Sequence, residues 1–305
     1  MDGIINILKP PGMTSFDVVA LLRGLMGIRK VGHTGTLDPM AAGVLPVCVG
    51  RATKAVEFLV EKDKIYRAEM ILGLTTDTQD VTGTVLSRKE PELSDDDIIR
   101  AVASFRGKYM QLPPMYSAIR VNGKKLYQLA REGIEAERCR REVEIYSAEV
   151  LDISRKDGVR VLFEVHCSKG TYIRTLCADI GDILGCGGCM SFLLRLRAGP
   201  FGISDSVTLE ELFRRKEEGT LADALTNVDR AFDSLDPCVL DDFAMKKFMN
   251  GMQVPLSRVQ INGTDRADGE ADGLVRVYGS DGRFAALGAI IHRKNGKYLK
   301  VRKFF

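Results

Sequence analysis

Two segments of the chain have an apolar side chain at every second position and mostly polar side chains between, and this pattern constrains the fold more than any other feature. Residues 66–73 and residues 159–168 each place an apolar side chain at every second position. Successive side chains of a β-strand point to opposite faces, so each segment is predicted to be a strand with one face in the core. The core-facing side chains would be Tyr66, Ala68, Met70 and Leu72 in the first strand and Val159, Val161, Phe163, Val165 and Cys167 in the second.

The starts of two helices can be recognised from their capping residues. Ser94 and Asp97 fit a capping box before an apolar stripe, and Thr14 or Ser15 can cap an earlier helix. Residues 28–50 are rich in glycine and proline and are predicted to be mostly loop with brief strands. Because strands and helices are grouped rather than regularly alternating, the sequence predicts an α+β fold.

A change in composition follows residues 235–237, and the length of 305 residues is typical of two domains. We predict one domain over residues 1–234 and a small β-rich domain over residues 235–305, where Ser-Asp-Gly and Asn-Gly turn signals indicate hairpins. After Asp281 the chain has seven lysines and arginines and no acidic residue. This basic run predicts contact with RNA, and the alternative is a solvated basic face without a partner.

Net charge, cysteine content and hydrophobic runs limit the kinds of functional site and the cellular locations that fit this sequence. The formal net charge of +3 is too small to identify a nucleic-acid partner by itself. Seven cysteines at irregular spacing argue against a disulfide framework, and Cys186 with Cys189 lacks the second pair that a structural zinc site needs. The sequence contains neither a secretory signal nor an apolar run of membrane-spanning length. It therefore predicts a cytoplasmic protein with reduced thiols, no metal and no membrane contact.

Residues 31–47 place His33 and Asp38 in a glycine-rich segment. Asp38 is followed by a proline, which restricts it to an extended conformation. An Asp-Pro pair in a loop is commonly structural, and that alternative stays open when this segment is taken alone. The pattern of a phosphate-binding loop is absent from it.

Two further segments carry side chains suited to a planar or charged substrate. Tyr66 begins a predicted strand, where it can pack in the core or stack on a base extruded from RNA. Arg174 falls in the first turn of a helix predicted within residues 170–185, among apolar neighbours. A buried arginine needs a carboxylate partner, and Asp38 is a candidate. Such a pair would keep the aspartate ionised, as a nucleophile must be.

Five segments are distinctive as motifs: KPPGMTS, GHTGTLDPMAAGVLP, KIYRAEMILG, PPMYSAIRVNGKKLYQLAREGIEAE and GTYIRTL. In this order, and within about residues 4–200, they resemble TruB-type tRNA pseudouridine synthases. The resemblance implies a catalytic domain with a mixed, largely antiparallel sheet, followed by a small β-rich, PUA-like RNA-binding domain. It also implies conversion of uridine 55 in the tRNA T-arm to pseudouridine, with no cofactor and no metal.

The resemblance implies roles for single residues as well. Asp38 matches the nucleophilic aspartate, Tyr66 the tyrosine that stacks on the target base, and Arg174 the arginine that pairs with the aspartate. An insertion at about residues 113–142 is implied to contact RNA, and the alternative there is a solvated amphipathic helix. The substrate-binding positions implied in this way are His33, Tyr172, Leu193 and Lys9.

Two other functions are compatible with these motifs. One is a guide-RNA-dependent synthase of the same fold, whose members usually carry extra N-terminal sequence; the eight residues before the first motif favour a stand-alone tRNA enzyme. The other is a tRNA-binding or chaperone module without catalysis, against which Asp38, Tyr66 and Arg174 together argue. We expect a monomer that binds the T-arm of tRNA and has no obligate protein partner.

Overall fold

The computed structural model describes residues 1–121, 123–261 and 273–305, so the predicted insertion and the predicted C-terminal domain both include residues outside these ranges. The helices are α1 Ser15–Met26, α2 Val56–Val60, α3 Asp95–Ser104, α4 Leu126–Arg131, α5 Ile173–Ile183, α6 Leu209–Glu217 and α7 Asp242–Met249. The strands are β1 Gly3–Lys9, β2 Val31–His33, β3 Ala42–Val49, β4 Lys64–Leu72, β5 Leu74–Thr76, β6 Val85–Arg88, β7 Gly107–Gln111, β8 Arg120–Val121, β9 Lys124–Lys125, β10 Arg141–Ser154, β11 Val159–Cys167, β12 Gly188–Ala198, β13 Phe201–Gly202, β14 Pro237–Leu240, β15 Val254–Pro255, β16 Gln260–Ile261, β17 Leu274–Gly279, β18 Phe284–Arg293 and β19 Gly296–Phe304.

The larger sheet has the strand order β1-β3-β12-β4-β11-β10-β7, with β2 paired to β3 and β13 paired to β12. Its neighbouring strands run antiparallel except β12 and β3, which are parallel where Leu194 and Arg195 lie beside Ala42 and Gly43. The prediction of an α+β fold with a mixed, largely antiparallel sheet is confirmed. The long strands β4 and β12 are neighbours in the middle of the sheet, so side chains at paired positions of the two strands lie side by side.

The main core lies between one face of this sheet and helices α1, α3 and α5. The alternation predicted for β4 and β11 is confirmed, since every apolar side chain assigned to the core faces is buried. Helix α1 begins with a capping box between Thr14 and Asp17, and α3 begins with the predicted one between Ser94 and Asp97. These caps satisfy backbone N–H groups that a helix start otherwise leaves unpaired.

The prediction that residues 28–50 are mostly loop is wrong for the second half of the segment. Strand β3 has eight residues, and seven of them, from Gly43 to Val49, pair with β1. Its residues are nearly all buried. A continuous apolar run of this kind has no alternation to reveal a strand, and Pro46 within it is a misleading loop signal.

A second sheet lies near the C-terminus, with the order β15-β19-β18-β17-β14-β16. The predicted turns are present between β17 and β18 and between β18 and β19. Phe284, Phe305 and Leu287 of this region pack in one apolar cluster with Phe232 and with β1 and β3 of the larger sheet. A domain boundary near residue 235 stays a prediction. Among the described residues, no helix is long and apolar enough to cross a membrane.

Candidate active site

Asp38 lies in the loop that connects β2 to β3, and this loop is held by the start of α1. The backbone N–H of Leu37 donates to the Ser15 hydroxyl oxygen at 2.8 Å, and that hydroxyl donates to the Leu37 carbonyl at 3.2 Å. The N–H of Gly12 donates to the carbonyl of Pro39 at 2.8 Å. Both neighbours of Asp38 are therefore tied to the segment of the KPPGMTS motif.

Lys9 makes a second connection between the same two segments. Its side chain is 0% exposed, and its ammonium donates to the carbonyls of Pro10 at 2.7 Å, Met13 at 2.6 Å and Pro39 at 3.3 Å. Burial lowers the pKa of Lys9 to about 8, while the negative charge of Asp38 opposes this shift. Through these hydrogen bonds, Lys9 holds the loop that carries Asp38 against residues 10–13.

Arg174 forms a two-point ion pair with Asp38. Its Nε lies 2.9 Å from Oδ2 of Asp38, and its Nη2 donates to Oδ1 at 3.3 Å. Arg174 occupies the first turn of α5, is 4% exposed, and also donates to the carbonyls of Thr78 at 3.1 Å and Tyr116 at 2.8 Å. Tyr116 belongs to the predicted insertion, which therefore reaches the site. The pairing that the sequence suggested is present.

A second carboxylate, Asp80, was missed by the sequence reasoning. It is buried, and its Oδ2 lies 3.7 Å from Nη1 of Arg174. Its Oδ1 accepts hydrogen bonds from the Thr78 hydroxyl at 2.9 Å and from the N–H of Thr82 at 2.9 Å. The available signal was the Thr/Asp-rich run directly after the buried strand β5. Arg174 thus lies between two carboxylates.

The pKa of Asp38 is raised above its ordinary value. Burial is the largest cause, the cation of Arg174 opposes it, and the negative charge of Asp80 adds to it. The predicted influence of Arg174 is present, but burial outweighs it. One third of the Asp38 side chain is still exposed, so the carboxylate remains open to a substrate. The site therefore holds a reachable carboxylate that is more basic than an ordinary aspartate.

Tyr66 and Leu193 lie on the two central strands β4 and β12. Tyr66 is 9% exposed and lies directly opposite Arg195, and Leu193 is buried opposite Ala68. Burial raises the pKa of Tyr66; the positive charge of Arg195 lowers it, and the negative charge of Asp38 raises it further. Tyr66 is therefore within the electrostatic reach of both Arg195 and Asp38.

His33 and Tyr172 are each held by a specific backbone contact. Nδ1 of His33 accepts from the N–H of Gly35 at 3.3 Å, and burial lowers the pKa of the imidazole. The ring is therefore assigned as neutral with its proton on Nε2. The side chain of Gln111 accepts from the N–H of Tyr172 at 2.8 Å and donates to its carbonyl at 3.1 Å. The Arg141 guanidinium lies 4.8 Å from the Tyr172 ring centre.

These contacts join the predicted catalytic residues into one arrangement. Asp38 and Arg174 are in contact, the charge of Asp38 acts on Tyr66, and Tyr172 immediately precedes α5, which carries Arg174. In the ranges that the structure describes, no group of three or more His, Cys, Asp or Glu side chains is arranged to hold a metal ion. A carboxylate beside a fixed cation and flat aromatic rings can bind a planar base and attack it or its sugar.

Comparisons with known proteins place this geometry in a family. The N-terminal domain of the TruB family pseudouridylate synthases matches residues 23–173, and the tRNA pseudouridylate synthase B C-terminal domain matches residues 174–233. The tRNA pseudouridine synthase B of Alkaliphilus oremlandii (strain OhILAs) is 50% identical over 254 residues, which are 83% of each chain. This chain belongs to the TruB family of pseudouridine synthases. The tRNA pseudouridine synthase B of Clostridioides difficile (strain 630) is 45% identical over 308 residues, covering 100% of both chains.

Solved structures support the same fold. A Cbf5-Nop10-Gar1 complex contains a chain that is 30% identical, with a TM-score of 0.76 over 99% of this chain and 84% of that chain. A chain of an H/ACA ribonucleoprotein bound to a substrate RNA containing 2′-deoxyuridine is 29% identical, with a TM-score of 0.75 and the same coverage. This TruB-family chain therefore shares the pseudouridine synthase fold with proteins that were solved in complexes with protein partners or RNA.

Proposed function

We propose that this TruB-family enzyme converts uridine 55 in the T-arm of tRNA to pseudouridine, with Asp38 as the nucleophile. The observation that carries the proposal is the 2.9 Å pair of Arg174 with the partly exposed carboxylate of Asp38, whose charge also acts on the buried Tyr66. Relatives that are 45–50% identical over most of the chain are named tRNA pseudouridine synthase B, which supports tRNA as the substrate.

The reaction is an isomerisation and needs no external oxidant or reductant. The bond between N1 of uracil and C1′ of ribose breaks, the base turns, and a bond between C5 and C1′ forms. The proton on C5 leaves and N1 gains a proton, so atoms and electrons balance. Asp38 supplies the electron pair that traps the substrate when it attacks the base or the sugar, and the bond that it forms breaks again as the product forms, which returns the free carboxylate. Arg174 holds the carboxylate in a fixed direction through two contacts.

The target base must leave the folded T-arm before it reaches Asp38. Extruding a base costs a few kcal/mol of lost stacking. Stacking on Tyr66 and contact with Tyr172 and Leu193 would offset that cost, and His33 would occupy the space that the nucleotide leaves. Burial lowers the pKa of His33 below its ordinary value, so its ring is uncharged at neutral pH, which suits stacking inside RNA.

Two basic regions are the proposed RNA-binding surfaces. The stretch 119–144 has seven lysines and arginines, and within it the ring of Tyr127 lies under Lys125 and Arg131. The chain after Asp281 has seven more, and β18 and β19 carry five of them on the PUA-like domain that we propose for residues 235–305. Cations next to aromatic rings are typical of surfaces that track a phosphate backbone.

The test is tritium release from 5-labelled uridine in an unmodified tRNA transcript. We expect Asp38→Asn to abolish release and to leave tRNA affinity largely intact, because the amide keeps the shape of the carboxylate but is uncharged and a much weaker nucleophile. Asp152→Asn is the matched control: Asp152 is an exposed aspartate on β10, and release should be unchanged.

The outcomes separate the competing functions. Substantial release by Asp38→Asn would remove Asp38 from the nucleophile role. If the unchanged protein binds the transcript without releasing tritium, the non-catalytic tRNA-binding module replaces the enzyme. Release that requires an added guide RNA would assign the guide-dependent reaction instead. Mapping the modified position then decides whether it is uridine 55.

A further inference from the structure

Tyr172 is held from the two strands that flank the insertion at about residues 113–142. Gln111 ends β7 and Arg141 begins β10, and the two residues are paired in the sheet. The side chain of Gln111 is fully buried, and it hydrogen-bonds the N–H of Tyr172 at 2.8 Å and its carbonyl at 3.1 Å. These bonds fix the backbone before α5, but they leave the direction of the Tyr172 ring to other contacts.

Arg141 makes a contact with the ring itself. Its guanidinium lies over the Tyr172 ring, 4.8 Å from the ring centre. A Cβ atom built on Gly170 would lie 3.6 Å from Nη1 of Arg141, so the guanidinium also packs against the turn that leads to Tyr172. A cation over an aromatic face is attracted by the electrons of the ring, and this attraction favours the ring orientation that faces the cation.

Two donors of this guanidinium have no part in the hydrogen bonds of the fold. Nε and Nη2 of Arg141 are buried, and neither has a hydrogen-bond partner among the residues that the structure describes. Buried donors without partners are unfavourable, so an arginine that only stabilised the fold would be expected to meet acceptors there. The described contact that the guanidinium does make is the one with the Tyr172 ring.

We propose that Arg141 is a positioning residue for the isomerisation, which holds the Tyr172 ring in the direction in which it meets the target uracil. The inference rests on the proposed function and on the base contact given there to Tyr172. With one face of the ring next to Arg141, the rest of this half-buried side chain is presented in one orientation. A ring that is fixed before binding loses less side-chain entropy when the base arrives, and it keeps the uracil aligned with Asp38.

The alternative is that Arg141 binds an RNA phosphate directly, as we propose for the other basic residues of the stretch 119–144. The two roles differ in what they require of Tyr172. A positioning role acts through the ring and disappears when the ring is removed, whereas a phosphate contact persists without it. Loss of a phosphate contact also weakens the salt dependence of tRNA binding, because fewer counterions are released.

The experiment is a double-mutant cycle on an unmodified tRNA transcript, with Arg141→Met and Tyr172→Leu made singly and together. For each variant, kcat and KM for tritium release, the salt dependence of tRNA binding and the thermal unfolding midpoint are measured. Arg141→Lys tests the conservative change, and Tyr172→Phe keeps the ring. Arg230→Met is the matched control, because Arg230 also lies over an aromatic ring, that of Phe201 at 5.8 Å, and neither residue belongs to the site.

We expect Arg141→Met to lower kcat by about 10- to 100-fold, because small misplacements in a reacting complex cost that much, with KM within about threefold of the unchanged protein. Arg141→Lys should lose less, since it keeps a cation near the ring but not the planar guanidinium. In the Tyr172→Leu background, Arg141→Met should change kcat by less than about twofold, and in the Tyr172→Phe background it should act in full. Arg230→Met should keep kcat.

Other results overturn the inference. These are an unchanged kcat in Arg141→Met or in Tyr172→Leu, or a loss that follows a lower unfolding midpoint. Arg141 is a phosphate ligand instead if its loss appears in KM alone, adds in full to that of Tyr172→Leu, or lowers the salt slope of binding by about one. If Tyr172→Leu has no measurable turnover, the salt slope and the division of the Arg141→Met loss between kcat and KM decide. Failure of the proposed function is distinguishable, because then the unchanged protein itself shows no turnover.

Discussion

At the scale of single residues, the chemistry of the site depends on one buried cation shared by two carboxylates. Arg174 contacts Asp38 at 2.9 Å and lies 3.7 Å from Asp80. Burial and Asp80 raise the pKa of Asp38, and Arg174 lowers it. The pKa of Asp38, the proposed nucleophile, therefore depends on opposing effects, and removing the charge of Arg174 should raise it.

Arg174→Gln should move the acidic limb of the pH–rate profile to higher pH. A nucleophilic carboxylate must be deprotonated, so the rate falls as pH falls through the pKa of Asp38. Removing the cation that lowers this pKa raises it further. The measurement is the single-turnover rate on bound tRNA from mildly acidic to mildly basic pH.

Arg174→Lys provides the control for this shift because it keeps the positive charge near Asp38. The acidic limb of the pH–rate profile should move less in Arg174→Lys than in Arg174→Gln. The rate of Arg174→Lys should also fall, because lysine cannot make the two-point contact with Asp38. A limb that stays in place or moves to lower pH in Arg174→Gln would show that another group titrates.

At the scale of elements, the helix that carries Arg174 approaches β12 at a distance that only glycine allows. A Cβ atom built on Gly181 of α5 would lie 2.1 Å from the carbonyl carbon of Gly187 and 2.1 Å from the nitrogen of Gly188. Both neighbours are backbone, which cannot move aside as a flexible side chain can. Gly187 and Gly188, between Cys186 and Cys189, therefore allow α5 to pack closely at this point. The thiols of Cys186 and Cys189 are buried and form no disulfide.

Gly181→Ala should destabilise the fold by about 1–3 kcal/mol, because overpacking forces backbone shifts. Gly24→Ala is the matched control in helix α1, where a Cβ meets nothing within 4 Å, so it should stabilise by up to about 1 kcal/mol through helix propensity. Urea unfolding measures both free energies. Equal effects of the two substitutions would contradict the close approach of α5 to β12.

At the scale of the whole molecule, the second sheet is packed against the body that contains the site. Phe232 is buried, and its ring centre lies 5.5 Å from that of Phe58, 6.1 Å from Phe284 and 5.4 Å from Phe305. Polar contacts add to this interface: the Lys54 ammonium donates to the carbonyl of Phe304 at 2.9 Å. Removing residues 235–305 would therefore expose part of the core of the remaining protein.

Phe232→Ala should lower the free energy of unfolding of the full chain by about 3–5 kcal/mol, the range for a large aromatic side chain lost from a core. Phe213→Ala removes the same side chain from α6, where Phe213 is 47% exposed, and should cost much less. Urea unfolding of the full chain compares the two. Similar losses would mean that the contacts of Phe232 with the second sheet contribute little.

The sequence by itself determined the features that depend on neighbouring residues. Apolar side chains at every second position identified β4 and β11, and the capping box at Ser94 and Asp97 located the start of α3. Family motifs identified Asp38 and Arg174 as partners, and the structure has them in contact. Each of these signals is contained in a short segment, so it can be recognised without knowing what packs against it.

Only the tertiary structure decided the features that depend on distant parts of the chain. Asp80 contacts Arg174, and Arg195 contacts the carbonyls of Val44 and Gly35, all of which are far away in the sequence. The Thr/Asp-rich run around Asp80 does not show which side chain Asp80 meets. The sequence predicts loop where strand β3 lies, because the pairing with β1 that makes this apolar run a buried strand involves residues far away in the sequence. The pKa of Asp38 rises because burial is a sum over everything folded around it, and a sequence pattern does not contain that sum.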